Sequence, residues 1–284
     1  MNFHGIIVPI VTPFHSDFSL NVSGLAQLTE TLIEQGVSGL VVCGTTGEYY
    51  ALNEKEREVV LTTVSKVAKG RVTLIAGIND LSTEGAIKRA EQAVSLGYEG
   101  LMLAPPPYSL PDQQGVIAHY EQVASATPLP IIMYNFPARI GIEIEYDTVI
   151  HLSKVKNIVA IKESSGDFSR ALRLLQTQFD NFEVICGCDD QPVDFFFWGA
   201  KSWIAGLEMY SQQSKWQFIR PHSKGIGLRR NGSCQKFTLQ FIRWNLGIIT
   251  KKPKRVVSRV LSMLGQLECH FPIFHRNNNV NFSP

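Results

Sequence analysis

The sequence predicts a (β/α)₈ barrel over residues 1–206, an α/β fold in which eight parallel strands alternate with helices. Eight short apolar runs alternate with segments of helical pattern, as this fold requires. The runs are apolar throughout, which is typical of strands covered on both faces. The alternative, an open dinucleotide-binding sheet, needs a glycine-rich turn after its first strand, whereas "TPFHSDFSL" contains no glycine.

The strands are predicted from the apolar runs in chain order. They are GIIVPIVTPF (5–14), GLVVCGTT (39–46), TLIAGIN (73–79), GLMLAPP (100–106), PIIMYNF (130–136), IVAIKES (158–164), EVICGCD (183–189) and SWIAG (202–206). In a barrel the active site lies where such strands end, so the polar residues that close these runs are the candidates for chemistry.

The helices are predicted from apolar residues at helical spacing between these runs. The clearest are VSGLAQLTETLIEQG (22–36), NEKEREVVLTTVSKVAKG (53–70), STEGAIKRAEQAVSLG (82–97) and GVIAHYEQVASAT (115–127). The second begins with Asn-x-x-Glu, the pattern of a capping box, and ends at a glycine, which favours a helix stop.

Composition predicts an ordinary cytoplasmic protein. Of the 284 residues 44% are hydrophobic and 18% charged, and the five cysteines show no metal-ligand spacing beyond one C-x-C, which favours reduced thiols. The N-terminus has no basic region and is interrupted by Pro9 and Pro13, so no signal peptide is expected. No apolar run reaches about 18 residues, so we expect no membrane span.

Residues 207–284 differ in character from the rest of the chain. They contain 13 Lys and Arg but only two acids, and the last alanine of the sequence is Ala205. We hypothesise a change of reading frame near residue 206, in the encoding DNA or in its reported sequence; the alternative is a basic segment that binds an anionic partner. Either way, an atypical segment replaces the helix that normally closes such a barrel.

Lys162 is the central candidate for chemistry. It follows the apolar residues of "NIVAIKESSGD", and a lysine at such a place usually extends from a strand end into water. The pleat, however, places Ala160 and Lys162 on one face, with Val159 and Ile161 on the other. If Ala160 faces the barrel interior, so does Lys162, and Tyr134 of the preceding strand should point toward it.

An enclosed lysine suggests covalent catalysis. The amine is nucleophilic only when neutral, and burial lowers its pKa toward the range of about 7–8 that is useful for catalysis. Attack on a carbonyl to form a Schiff base is the usual role of such a lysine. The turn "GTTGE" (44–48) is complementary, because its backbone N–H groups could hold an anion, although an ordinary loop and helix cap would look the same.

Together, "GTTGE", "YNFPARIG" (134–141) and "IKESSGD" (161–167) resemble the dihydrodipicolinate synthase/N-acetylneuraminate lyase family over about residues 3–206. The resemblance implies a barrel that binds pyruvate or another 2-oxo acid as a Schiff base. It assigns the Schiff base to Lys162, a proton-relaying phenol to Tyr134 and a hydrogen bond in that relay to Thr45. It also implies that the amides of Thr45 and Thr46 bind the substrate carboxylate.

The same resemblance implies further site residues. Tyr108 matches a tyrosine that enters the neighbouring subunit's site, so a homodimer or homotetramer is expected, and Gly187 and Ile204 match backbone positions that line the pocket. Arg139 matches an arginine that binds the carboxylate of the second substrate in the synthases. Without the resemblance, Tyr108 and Arg139 would be loop residues and Ile204 would belong to the core.

Several functions remain open at this stage. A dihydrodipicolinate synthase-like lyase is favoured, and Tyr49 and Tyr50 beside the pocket leave open a 2-keto-3-deoxy sugar acid aldolase or dehydratase, or a cyclic-imine deaminase. A barrel without catalysis that binds through its basic tail is the non-enzyme alternative. A metal-dependent aldolase is disfavoured because no ligand cluster occurs at the strand ends. We expect 2-oxo acid and aldehyde substrates, no cofactor or metal, and no membrane or nucleic-acid partner.

Overall fold

A closed parallel barrel forms the centre of the computed structural model, which describes residues 3–204. Its strands are β1 (Gly5–Pro9), β2 (Gly39–Val42), β3 (Thr73–Gly77), β4 (Gly100–Leu103), β5 (Ile131–Asn135), β6 (Ile158–Glu163), β7 (Glu183–Cys186) and β8 (Ser202–Ile204). Neighbours in sequence are neighbours in the sheet, and β8 pairs with β1 to close it. The predicted (β/α)₈ fold is confirmed.

Helices connect the strands. They are α1 (Val22–Glu34), α2 (Glu54–Ala68), α3 (Thr83–Ser95), α4 (Gln113–Ser125), α5 (Pro137–Ile140), α6 (Tyr146–Leu152), α7 (Phe168–Leu175) and α8 (Pro192–Phe197), with a 3₁₀ turn at Tyr49–Ala51. The capping box predicted for α2 is present: the Asn53 side chain accepts the N–H of Glu56, and the Glu56 carboxylate accepts the N–H of Asn53, each at 2.9 Å.

Most strands end earlier than their apolar runs. The second run was predicted to stay extended to residue 46, but β2 ends at Val42, where Cys43 adopts a φ of +54° and turns the chain. The last residues of these runs therefore leave the sheet and form loops at its carboxyl-terminal edge. These loops carry Thr45, Thr46 and Gly187.

Apolar side chains from around the ring of strands fill most of the barrel interior. The buried cluster contains Phe3, Ile7, Val41, Ile75, Met102, Ala104, Ile132, Tyr134, Ile140, Ala160, Ile185 and Ile204. Ala160 faces inward, as the interpretation of β6 required. Val159 was expected to pack outward, but the register between β5 and β6 shifts beside it, and this residue contacts the interior cluster.

The atypical segment 207–284, its hypothesised frame change and any basic binding surface on it lie outside the described residues. Within residues 3–204, no helix combines the length and the apolar character that crossing a bilayer would require.

Candidate active site

Lys162 and Tyr134 meet at the carboxyl-terminal ends of β6 and β5. The two residues are direct partners in the strand register, so both side chains point into the barrel. The Nζ atom of Lys162 lies 4.4 Å from the centre of the Tyr134 ring. Only 6% of Lys162 and 4% of Tyr134 is exposed, so the amine is enclosed beside a phenol.

The site lowers the pKa of Lys162 to about 8, chiefly because burial disfavours the ammonium ion. The charge of nearby Asp189 acts in the opposite direction but does not cancel the effect. At pH 7 about one amine in ten is then neutral, compared with about one in several thousand for an unperturbed lysine. The side chain is therefore a competent nucleophile near neutral pH.

Tyr134 stays protonated over the physiological pH range. Burial raises the pKa of its phenol well above the ordinary value, and hydrogen bonding with the Thr45 and Ser164 side chains offsets only part of that rise. A neutral phenol can donate its proton while it accepts another. The group is thus suited to passing protons along a hydrogen-bonded chain.

The GTTGE turn leaves two amides available for a ligand. Thr12 Oγ1 donates to the carbonyl of Gly47 at 2.8 Å, and the N–H of Glu48 donates to the carbonyl of Thr45 at 3.1 Å. Among the described residues, the N–H groups of Thr45 and Thr46 have no hydrogen-bond acceptor. Unpaired amides in a tight turn can bind an anion, which is the role that the family resemblance implies for Thr45 and Thr46.

Gly187 packs directly against the end of β6. Its N–H donates to the carbonyl of Glu163 at 2.9 Å, and its own carbonyl accepts the Ser164 hydroxyl at 3.1 Å. A Cβ at this position would lie 1.9 Å from Ser164 Oγ and 2.9 Å from Lys162 Cγ, so only glycine fits. Ile204 is buried in the interior cluster that includes Tyr134.

Two further candidate residues, Tyr108 and Arg139, are exposed. Tyr108 is 92% exposed and has a φ of +74°, a conformation that costs a non-glycine residue energy. Arg139 is exposed on the short helix α5, and its charge lowers the pKa of Tyr134, so it lies within electrostatic range of the site.

The two tyrosines after GTTGE have different surroundings in the structure. The ring of Tyr49 lies 6.0 Å from the Arg89 guanidinium, and its hydroxyl interacts with Asn79. Tyr50 is 68% exposed.

The sequence analysis gave no role to Ser164, which lies one residue beyond β6 and interacts with Tyr134. Its place after the lysine in "IKESSGD" was the only available signal.

No metal centre accompanies these groups in the part of the chain that is described. Residues 3–204 contain no group of three or more His, Cys, Asp or Glu placed to hold a metal ion.

Known proteins share both the sequence and the fold of this chain. It matches the Dihydrodipicolinate synthetase family over residues 2–242. It is 37% identical over 205 residues to the 4-hydroxy-tetrahydrodipicolinate synthase of an Exiguobacterium strain, covering 72% of this chain and 70% of that protein. The synthase of Exiguobacterium sibiricum is 40% identical over 205 residues, again 72% and 70% of the two chains. A dihydrodipicolinate synthase structure from Bacillus anthracis aligns with a TM-score of 0.77 and 28% identity, covering 93% of this chain and 89% of that one.

The family resemblance drawn from three motifs is therefore confirmed by a match over most of the chain and by a shared barrel. With its lysine and phenol enclosed at the barrel mouth, this chain belongs to the dihydrodipicolinate synthetase family.

Proposed function

We propose that this protein is a class I, pyruvate-dependent lyase that binds pyruvate or another 2-oxo acid as a Schiff base on Lys162. The reaction is an aldol-type condensation or cleavage of the kind catalysed by 4-hydroxy-tetrahydrodipicolinate synthases. One observation carries the proposal: the amine of Lys162 is buried, has a pKa of about 8 and lies 4.4 Å from the centre of the Tyr134 ring.

The proposed reaction begins with the neutral amine. Its lone pair attacks the keto carbon of the 2-oxo acid, and loss of water leaves an imine that becomes a cation on protonation. Removal of a proton from the adjacent carbon gives an enamine, which forms a carbon–carbon bond to an aldehyde. Hydrolysis of the product imine restores the amine, so no cofactor is consumed.

Neighbouring residues have separate roles in this scheme. Tyr134 carries protons to and from the carbinolamine oxygen, with Thr45 as its hydrogen-bond partner. The free amides of Thr45 and Thr46 bind the carboxylate of the 2-oxo acid, and the backbone of Gly187 and Ile204 lines the pocket. Lys162 is the only one of these residues that forms a covalent bond.

Arg139 and Tyr108 would complete the site for the second substrate. Arg139 presents a cation at the barrel mouth, which favours an aldehyde that carries a carboxylate. The exposed Tyr108 would enter the site of a neighbouring subunit, so we propose a homodimer or homotetramer as the active form. The sugar-acid alternative has weaker support, because Tyr49 packs on Arg89 and Tyr50 is mostly exposed.

Borohydride trapping tests the proposal. Incubation with pyruvate and borohydride should reduce the imine to a stable secondary amine, and mass spectrometry should locate the adduct on Lys162. The adduct should be absent from Lys162→Ala and unchanged in Lys201→Ala, because Lys201 is an exposed lysine on the same barrel. An unmodified wild-type protein, or an adduct that survives Lys162→Ala, would refute the assignment.

Substrate turnover then separates the reactions that begin from the same enamine. Condensation of pyruvate with aspartate semialdehyde should be faster than cleavage of 2-keto-3-deoxy sugar acids, and Arg139→Ala should raise KM for the semialdehyde without lowering the rate of pyruvate adduct formation. A preference for sugar acids would favour the aldolase or dehydratase alternative.

A further inference from the structure

A buried polar network lies on the outer side of β5 and β6, directly behind the reactive side chains. Tyr134 and Lys162 point into the barrel, and the next residues of the two strands, Asn135 and Glu163, are also register partners. Because side chains alternate along a strand, this second pair points outward. Both residues are almost completely buried, at 0% and 1% exposure.

The Glu163 carboxylate is saturated with hydrogen bonds. Asn135 Nδ2 donates to both of its oxygens at 3.1 and 2.9 Å. The N–H of Ser165 donates to Oε1 at 2.7 Å, and Arg170 Nε donates to Oε2 at 2.9 Å. The Arg170 side chain is only 8% exposed, so the ion pair is shielded from water. A charge buried this deeply persists only when it is paired, which holds the carboxylate in one position.

Arg170 and Asn135 extend the network to another part of the chain. Asn135 Oδ1 accepts the N–H of Ile144 at 3.0 Å, and Arg170 Nη2 donates to the carbonyl of the same residue. Arg170 Nη1 also pairs with Glu143 at 3.2 Å. The network therefore joins β5, β6, α7 and the segment between α5 and α6 into one unit.

Backbone hydrogen bonds connect this network to the neighbouring strand ends. The N–H of Ser164 donates to the carbonyl of Asn135, and the N–H of Gly187 donates to the carbonyl of Glu163, both at 2.9 Å. The Lys162 amine lies at the end of a long, flexible side chain, which by itself does not fix the position of the amine. Its position beside Tyr134 depends on how firmly the strand ends are held.

We propose that Glu163 and Arg170 are positioning residues for Lys162: their buried ion pair, anchored by Asn135, holds the ends of β5 and β6 so that the amine stays against the Tyr134 ring. This inference rests on the proposed function and extends it to residues that touch no substrate. Arg170 has a second effect, because its charge neutralises a carboxylate that belongs to the residue next to the lysine.

The effect of disturbing the Glu163–Arg170 ion pair on the pKa of Lys162 depends on the charged and titratable groups around the amine. They are Tyr134 on β5, Cys186 on β7, and Cys188 and Asp189 in the loop that follows. Glu163 is the residue next to the lysine on β6. Removing only Arg170 would leave the Glu163 carboxylate without its buried cation. An unneutralised negative charge in a poorly solvated region favours the ammonium form of a nearby lysine.

The test compares three proteins with the wild type: Arg170→Met, the double variant Glu163→Leu with Arg170→Met, and the control Arg71→Met. Arg71 forms an exposed ion pair with Glu30 and lies at the end of α2, so it controls for loss of a surface arginine. Replacing a whole buried ion pair by apolar residues often preserves stability, so the double variant is the one expected to fold. Thermal unfolding of each protein is recorded.

Two readouts follow. Competitive acetylation over a range of pH, with peptide mass spectrometry, gives the pKa of Lys162 without any substrate. Borohydride trapping with pyruvate gives the rate of adduct formation, compared at equal neutral fractions of the amine. We expect Arg170→Met to raise the pKa of Lys162 by about half a unit to one unit. In the double variant the pKa should return to the wild-type value, while the trapping rate falls about tenfold or more. Arg71→Met should change neither readout.

A folded double variant that traps pyruvate as fast as the wild type would overturn the inference. So would an Arg170→Met protein with an unchanged pKa at Lys162; if that variant does not fold, the trapping rate of the double variant decides. A purely structural ion pair would lower the unfolding temperature without either change. Failure of the proposed function is distinguishable, because the wild type itself would then form no adduct, whereas the acetylation readout would still report on the pair.

Discussion

At the residue scale, the fold and the proposed chemistry place opposite demands on Lys162. A charged amine is poorly solvated inside the barrel, and burial accordingly lowers its pKa from 10.5 to about 8. The unfolded chain therefore binds the proton more tightly than the folded protein does. This difference corresponds to about 3 kcal/mol of lost stability wherever both states are protonated.

The stability lost by burying the charged amine becomes smaller as pH rises. Below about pH 8 both states carry the proton and the full penalty applies. Between about pH 8 and 10.5 the folded protein has lost the proton and the unfolded chain has not, so the penalty shrinks as pH rises. A neutral side chain of similar length would remove it altogether.

We therefore predict that Lys162→Met is more stable than the wild type at pH 7, by about 1–3 kcal/mol, and that the difference largely disappears at pH 10. Urea unfolding at the two pH values measures it. Exposed Lys201→Met, which lies on the same barrel, should show no such pH-dependent gain. Equal stability of Lys162→Met and wild type at pH 7 would contradict a buried, perturbed lysine.

At the element scale, the ends of β6 and β7 can approach each other closely because Gly187 has no side chain. Its backbone bonds to Glu163 and Ser164 at the carboxyl end of β6, and a Cβ would overlap the Ser164 hydroxyl and approach the carbonyl of Glu163 to 2.7 Å. The close approach of these two strands helps to enclose the lysine. A larger residue would have to push them apart.

We predict that Gly187→Ala destabilises the protein by about 1–3 kcal/mol and slows pyruvate adduct formation at Lys162, because the added methyl displaces the lysine stem. Urea unfolding and borohydride trapping measure the two effects. Gly166→Ala is the matched control: an added Cβ there meets no atom within 4 Å, but its φ of +83° strains alanine. It should lose stability without slowing the adduct. Equal trapping rates in both variants would show that the approach at Gly187 does not position the lysine.

At the scale of the whole molecule, the proposed site uses a tyrosine that is exposed in this chain. Tyr108 is almost fully exposed, and neighbouring Leu110 is 54% exposed with a φ of +47°. Strained apolar residues on a loop are sustained when they make a contact elsewhere. A second copy of the chain is the partner that the proposed mechanism implies.

Subunit mixing tests this arrangement. We predict that Lys162→Ala and Tyr108→Phe proteins are each nearly inactive, and that activity returns when they are unfolded together and refolded as a mixture. In a mixed dimer one site combines an intact Lys162 with an intact Tyr108 of the other subunit, so random pairing restores about a quarter of the sites. Refolding each variant alone is the control. A mixture no more active than its components would exclude a shared site.

The composition change after residue 206 also belongs to this scale. If the reading frame shifts there, the encoding DNA read in another frame should continue with a segment rich in alanine and glutamate. Resequencing the gene and translating all three frames is the measurement. A confirmed reading without any such continuation would remove the idea and leave a genuine basic segment, whose binding to anionic partners should then weaken as salt rises.

The amino-acid pattern by itself determined the order of the strands and of the first four helices, and it placed Lys162 on the same face of its strand as Ala160. Those features follow from local periodicity, which needs no knowledge of distant residues. It also indicated the capping box at Asn53 and, through three motifs, the family. The strand ends were less predictable, because an apolar run does not reveal where a residue such as Cys43 turns the chain.

Only the tertiary structure decided what surrounds the lysine. The pairing of Glu163 with Arg170, the fit of Gly187 against Ser164 and the packing of Tyr49 on Arg89 join residues from different elements. Burial and electrostatic shifts of pKa depend on atoms brought together by folding, so no local pattern contains them. The sequence could identify a candidate amine, and the closed barrel with its packed strand ends buries that amine and lowers its pKa to about 8.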